Sequence, residues 1–423
     1  MYWYSGQVAI QLLSVWVLGL LVVGKLSFPP AFKAAWLPIS LLSIFLLFQW
    51  LLNLEVVSVF ESADRSATRS QLLKTFCLLQ LFCLMLMLIT EQRYFKWLVT
   101  ALLISGTFQA VYGTLMTVTG TDYIWNYEKE AYRGVATGTF INRNHLAGYL
   151  EMTIALGLGL MIASLSEGRS RTWRQFFRGL TETLLGEKAR IRICLVLMVI
   201  GLILTRSRMG NTAFFVGMGV AGVIGLFLFR RSQPGIVLLF VSILIIDILL
   251  LGTFFGVEEL QERLQNTSLE KELRPSTISL SFGLLQAAPW VGHGLGTFYA
   301  VFPQVRDGDY ASLTLHTHAD VLQFPIELGL VGFAPLLIFY LYSLYTAIQV
   351  QRKRHNRFYR AMGFSATMAL VAIGLHSFAD FNLQIFANAA TFVCILAMPF
   401  LCANLSSQRR RSSKMPESGS GAG

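Results

Sequence analysis

The sequence predicts an all-α polytopic membrane protein with about 11 (10–12) transmembrane helices and one large external loop, at residues 256–320, that contains short helices. Three observations carry this. Of the 423 residues, 54% are hydrophobic and 13% charged, with a mean hydropathy of +0.58; soluble domains carry roughly 25% charged residues. Apolar runs of about 18 residues or more, each able to cross a hydrocarbon core, recur along the chain. The basic residues between them fall on alternate loops, as the positive-inside rule requires.

In order, the runs place spans at about 7–24, 35–53, 71–90, 97–119, 145–166, 191–206, 209–230, 235–255, 325–350, 361–378 and 386–405. The first has no basic leader and no small-residue cleavage site, so it reads as a span and not a cleaved signal. Lys25/Lys33, Arg93/Lys96, Arg169–Arg192, Arg230/Arg231, Arg352–Arg360 and Arg409–Arg411 all fall on one side, which is expected to be cytoplasmic. The other side receives loops 54–70, 120–144 and 256–320, the Arg206–Arg208 turn and the 378–385 turn. One transmembrane domain, residues 1–405, is expected, followed by a low-complexity, disordered cytoplasmic tail at 406–423. The net charge of +11 is assigned to topology and anionic lipid heads, and a nucleic-acid partner is not expected. The five cysteines all fall within predicted spans, without metal or disulfide spacing.

The stretch Phe254–Gly332 is the long polar excursion of this apolar chain. It holds Arg274, a turn-rich run from Pro289 to Gly296, and the sequence His316-Thr317-His318-Ala319-Asp320. An ordered loop of this length points to function. Ser276–Ala288 reads as an amphipathic helix with Leu280, Leu284 and Leu285 on one face and Arg274 at its start, where a helix N-terminus favours an anion. A surface ion pair is the alternative role for Arg274, because Glu258, Glu259, Glu262, Glu270 and Glu272 lie nearby in sequence. Gly292, Gly294 and Gly296 resemble a phosphate loop only superficially, since no Lys-Ser/Thr follows.

Arg206-Ser207-Arg208 sits at an external turn, against the positive-inside bias. A guanidinium fork there suits phosphate oxygens, and a helix-end or snorkelling arginine is the structural alternative. His316 and His318 lack the further ligands a zinc site needs, so no metal is expected; a neutral imidazole as general base is the more economical chemistry. At the 120–144 loop, Asn142, Asn144 and His145 stand where the chain enters a span; Asn144 is the candidate helix cap. His376, Asp380 and Asn382 surround the last external turn and either plug the bundle mouth or orient a partner.

Taken in order, these residues resemble the bacterial O-antigen ligase/polymerase superfamily over about 105–400. The likeness rests on Gln109…Tyr112-Gly113, Phe140-Ile141-Asn142-Arg143-Asn144-His145, Ser207-Arg208, Arg274 followed by Pro289 and Gly292-x-Gly294-x-Gly296-x-Phe298, and His318 followed by Gly329-Leu330-Val331-Gly332. Position 319 is Ala, where ligases of this family usually carry Asn, Ser or Gln. The resemblance implies a metal-independent, inverting glycosyltransferase in lipopolysaccharide or cell-surface polysaccharide biosynthesis, with no cofactor. It would act at the periplasmic face of the bacterial inner membrane. The donor would be a glycan on undecaprenyl diphosphate, and the acceptor lipid A core for a ligase or a second lipid-linked glycan for a Wzy-type polymerase. Arg208 and Arg274 would hold the diphosphate and His318 would be the base. Arg206, Asn142, Asn144, His145, His316, Asp320, His376 and Asp380 are the further candidate substrate-binding residues. A transporter of lipid-linked sugars is the competing class; it would place polar residues and broken helices at the bilayer midplane, whereas here the spans are almost free of charge.

Overall fold

The computed structural model describes residues 2–52, 62–164, 187–228, 269–306 and 314–406, with the backbone alone at 2–4, 52, 187–188 and 269–276. The predicted span 235–255, loop segments 256–268 and 307–313, and the tail beyond 406 lie outside the described residues.

The chain runs through α1 (Tyr2–Val22), α2 (Pro30–Ala34), α3 (Trp36–Leu52), α4 (Arg65–Leu88), α5 (Gln92–Thr119), a small hairpin of β1 (Tyr123–Ile124) and β2 (Tyr127–Glu128), α6 (Arg143–Ser164), α7 (Glu187–Leu204), α8 (Arg208–Leu228), α9 (Leu269–Ala287), α10 (Phe298–Val301), α11 (Asp320–Lys353), α12 (Arg357–His376) and α13 (Phe386–Asn404). Among the described residues, eight helices are long and apolar enough to cross a membrane. Their outer faces are apolar: Trp97, Ile104, Phe108 and Leu115 form one exposed row on α5. The spacing of seven, four and seven residues is that of a single helix face. Such a row is untenable in water and natural against lipid.

Local chemistry sets the helix ends. Asp64 caps α4 by accepting from the Ala67 N–H at 3.0 Å, and Asn356 caps α12 by accepting from the N–H groups of Phe358 and Tyr359. Gly120 ends α5 in the left-handed conformation.

Hydrogen bonds sort the loops into two ends. At one end the Asn356 side chain bonds that of Gln92, and the Tyr359 hydroxyl donates to the Ser406 carbonyl. At the other, Ala63 N–H donates to the His293 carbonyl, Ala136 N–H to Leu204 and Asp320 N–H to Asp380. His145, His293, His316, His318 and His376 belong to this second end, while His355 lies in the 353–357 turn at the first. In the centre, α12 packs most extensively on α6 and α8, and small residues permit the close approach. Gly217 lies against Ala372, the way membrane helices pack without a hydrophobic drive between them.

α11 was expected to begin near residue 325; it begins at Asp320 and is broken at Gly329 (φ 65°, ψ 175°). The break leaves backbone groups without helical partners, and the glycine run supplies them. His293 N–H donates to the Ile326 carbonyl at 3.0 Å and Gly294 N–H to Glu327 at 2.9 Å; in return Leu330 N–H donates to Pro289 at 2.8 Å and Val331 N–H to Trp290 at 3.2 Å. A Cβ on Gly292 would meet the backbone of Glu327 and Gly329, and one on Gly329 would meet Trp290. Gly292 and Gly329 therefore serve a close crossing of two backbones, while a Cβ on Gly294, Gly296 or Gly332 would instead meet the side chains of Ser62 and Thr68, Gln71 or Phe45.

Candidate active site

The histidine end is built on the turn that joins α12 to α13. Phe381 lies at its centre, with three imidazoles around its ring. His316 stacks on it at 4.3 Å between centroids, and His145 and His318 meet it edge-on at 4.7 and 5.0 Å. His316 and His318, two residues apart, lie outside any helix. Both reach Phe381 because His318 adopts a left-handed backbone (φ 59°) that turns the segment back on itself. Both are half-buried, whereas His145 is 6% exposed and His376 fully buried. Of these four histidines, His316 and His318 are the more accessible.

The remaining polar residues of this end mostly hold that segment. Asp320 was a candidate ligand residue, but its oxygens are engaged: Oδ2 accepts from Leu383 N–H at 2.8 Å and Oδ1 from the Gln384 amide at 3.4 Å. It clamps the start of α11 to the 382–384 turn. Asp380 is buried, accepts from Phe381 N–H at 2.8 Å and stands 3.9 Å from His145 Nε2. Asn142, not Asn144, caps α6, its Oδ1 accepting from the Asn144 N–H at 2.8 Å. This cap position is natural, since the cap bonds the second helical N–H. Asn144 and His145 are then carried inward on the first turn, both buried. His145, His376, Asp320 and Asp380 are thus buried at this end, where their bonds hold the segment in place, and Asp320 also lines the cavity described below.

Two carboxylates within helices were not picked out from sequence, where the spans read as almost free of charge. Glu151 on α6 pairs with His376 Nδ1 at 3.0 Å, both fully buried. Glu327, in the short segment of α11 before the break, accepts from Gly296 N–H at 2.8 Å and from Gln323 Nε2 at 2.9 Å. Each sits within two or three helical turns of the histidine end, so the polar groups still collect there. A signal was available: an acidic residue in an apolar run needs a partner.

The arginines exchange places relative to the expectation. α9 starts at Leu269, so Arg274 lies inside the helix and not at its N-terminus; the chain runs helically through Pro275. Its side chain is outside the described residues. Arg208 is instead the first residue of α8, exposed, behind Ser207, whose Oγ accepts from Gly210 N–H at 3.2 Å as the helix cap. Arg208 thus stands at the positive end of a helix dipole. Arg206, half-buried, takes the left-handed conformation (φ 51°) that closes this turn. The turn belongs to the same end, since a Cβ on Gly210 would meet Ala147 and approach His376.

The last component is a cavity of about 1050 Å³, walled by α3, α4, α5, α6, α11, α12 and α13. Its lining is mostly apolar, with Phe45, Leu78, Phe82, Phe324, Tyr340 and Phe392. It reaches the clamp that holds the histidine segment, since Asp320, Ser377, Leu383 and Gln384 also line it. Lys74, which sequence reading left unassigned, is the cation of its described wall. Burial pushes the His316 imidazole down to about 4, opposed by its hydrogen bond to Gln323, and His318 and Lys74 lower it further. His316 is therefore neutral near pH 7. Among the described residues no three His, Cys, Asp or Glu side chains converge as metal ligands.

Residues 193–337 match the family model described as O-antigen ligase. The match runs from α7 into α11 and includes Arg208, Arg274, His316, His318 and the Gly329 break. No curated protein matches the chain.

Proposed function

We propose, on the support of the match of residues 193–337 to the O-antigen ligase model and of the resemblance to the O-antigen ligase/polymerase superfamily, that this chain transfers a glycan from undecaprenyl diphosphate to an acceptor hydroxyl at the external, periplasmic face of the bacterial inner membrane. The observation that carries the reading is the junction of two features. An apolar cavity large enough for several isoprene units is lined in part by Asp320 and Gln384, the clamp at the start of the helix that follows two half-buried imidazoles. A lipid-linked sugar needs that sequence of surfaces: hydrocarbon for the tail, cations at the diphosphate, and a base above it.

In this reading the polyprenyl tail lies in the cavity, and Arg208 and Arg274 hold the diphosphate. Guanidinium forks stabilise the charge that grows on phosphate as the sugar–phosphate bond lengthens. The acceptor hydroxyl oxygen attacks the anomeric carbon, and the bond from that carbon to the phosphate oxygen breaks. Undecaprenyl diphosphate leaves with the bonding pair, and His318 takes the hydroxyl proton. One direct displacement inverts the anomeric centre. The arginines supply the positive charge, so no metal is required.

Ligase-type transfer to lipid A core is the main reading. Ala319 favours keeping the polymerase alternative, because it is buried in an apolar cluster with Leu284, Phe298 and Leu322. Its methyl group cannot supply the hydrogen bond that a polar residue there would give. The test is purified protein in liposomes with undecaprenyl-diphosphate glycan and each acceptor separately, with or without EDTA, and mass spectrometry of the products. Glycosylated lipid A core identifies a ligase and a lengthened lipid-linked glycan a polymerase. No product with either acceptor, or activity lost to EDTA and restored by a divalent ion, overturns the reading.

A further inference from the structure

The two accessible histidines differ in what stands behind them. His316 Nδ1 lies against the side-chain amide of Gln323, 3.1 Å from Nε2 and 3.3 Å from Oε1. Two partners fix the sense of that amide. Thr317 N–H, which can only donate, points at Gln323 Oε1 at 3.2 Å. Glu327 Oε1 receives Gln323 Nε2 at 2.9 Å, while Glu327 Oε2 accepts from Gly296 N–H at 2.8 Å. The oxygen of Gln323 is thus turned to a backbone donor and its NH2 to a carboxylate. One NH2 hydrogen goes to Glu327, and the second, on the nearer atom, goes to His316 Nδ1. An Nδ1 that accepts carries no proton, so the neutral ring bears it on Nε2. Gln323 and Glu327 are buried at 1% and 0% exposure, so water does not compete for these bonds.

We propose that Glu327, acting through Gln323, is a positioning residue that fixes His316 in the Nε2–H tautomer, a neutral hydrogen-bond donor beside His318. This gives the two imidazoles different work. His318 remains the base, and His316 cannot be one through Nε2. It donates instead to an anionic oxygen of the departing diphosphate, an assignment that rests on the glycosyl-transfer reading above. The geometry also explains why a carboxylate lies in the short helical segment before the Gly329 break. Glu327 holds the glycine run by Gly296 and the imidazole by Gln323, so the loop crossing and the site share one support. The charged and titratable groups that act on His316 are His318, Asp380 and Lys74; each is on a different segment from Glu327, so none substitutes for it in orienting the amide.

The tautomer can be read without turnover. Full-length protein with 15N-labelled histidine is reconstituted in lipid nanodiscs at pH 7 and its imidazole nitrogens are recorded by solid-state NMR; the His316 signals are those lost in His316→Gln. The expected result is protonated Nε2 and unprotonated Nδ1 in the native protein, and a mixture of tautomers in Glu327→Gln and Gln323→Met. In the liposome assay both variants are expected to lower kcat roughly tenfold, the size of one lost hydrogen bond, with KM for the lipid donor little changed. A native His316 protonated on Nδ1 overturns the proposal, and so does Glu327→Gln that changes neither tautomer nor kcat. If a variant does not fold, the native spectrum alone still decides. If no transfer is found with any acceptor, the spectrum tests the positioning independently of that failure.

Discussion

Replacing Gly329 by alanine tests whether the broken helix and the glycine run form one built crossing. At φ 65° and ψ 175° the backbone lies where essentially only glycine is found, and a side chain there costs about 1–3 kcal/mol. The new Cβ would also collide with the Trp290 carbonyl and Val291. The loop must then retreat, loosening the bonds from Leu330 to Pro289 and from Val331 to Trp290, at about 0.5–1.5 kcal/mol each. The expected loss is about 2–6 kcal/mol in all. Gly219 is the internal control: it lies within α8, and a Cβ there meets nothing within 4 Å. Alanine at Gly219 should be neutral or stabilise by about 0.4–1 kcal/mol through the unfolded chain. The measurement is denaturant unfolding in detergent micelles for both variants, with limited proteolysis of the 289–297 segment. Gly329→Ala should unfold earlier and be cut faster, and Gly219→Ala neither. Equal stability of Gly329→Ala and the native protein would refute the crossing, and with it the account of Gly292.

Other outcomes follow from the site. Arg208→Lys and Arg274→Lys keep the charge and lose the fork, so each should lose most transfer activity at normal protein levels; full activity in either variant would reduce that arginine to a structural role. His318→Ala should cost about 10²–10⁴-fold in turnover while donor lipid still binds, and a variant that retains native turnover would remove His318 as base. The His316 imidazole is held below its ordinary 6.5, at about 4. The unfolded chain therefore binds this proton first, and the resulting stability, full above pH 6.5, is lost as pH falls toward 4. Unfolding midpoints measured across that window should fall less steeply in His316→Gln than in the native protein, and parallel profiles would contradict the burial of this ring. For sidedness, a cysteine at the exposed Trp290 should label with an impermeant reagent in cells stripped of outer membrane, and one at His355 should not; the reverse pattern inverts the topology.

Much of the helical layout was legible because burying apolar surface in lipid requires long runs, and long runs are visible in a linear chain. Spans placed at 71–90, 97–119, 145–166 and 361–378 correspond to α4, α5, α6 and α12. The residues of the histidine end were legible for a similar reason: His, Arg and Asp are conspicuous in an apolar background, and loop charge assigned them to one side. Their individual tasks were not legible. Asp320, picked out as a candidate ligand residue, also clamps the start of α11 to the 382–384 turn. Asn144 looked like a cap, but Asn142 is the cap, because the cap is set by which N–H the side chain reaches. Arg274 looked like a helix-start residue because the amphipathic pattern begins at Ser276, yet α9 begins five residues before Arg274.

By itself, then, the sequence determined an all-α membrane bundle, its two-sided loop pattern and the polar end where chemistry would be sought. Those depend on hydrophobic length and charge, which are additive along the chain. Only the tertiary structure decided that Phe381 gathers three imidazoles, that Glu151 finds His376 225 positions away, and that the glycine run completes a break in α11. Each of these is a meeting of distant segments in which a buried polar group must find a partner. The cost of leaving it without one depends on three-dimensional neighbours that no linear pattern records.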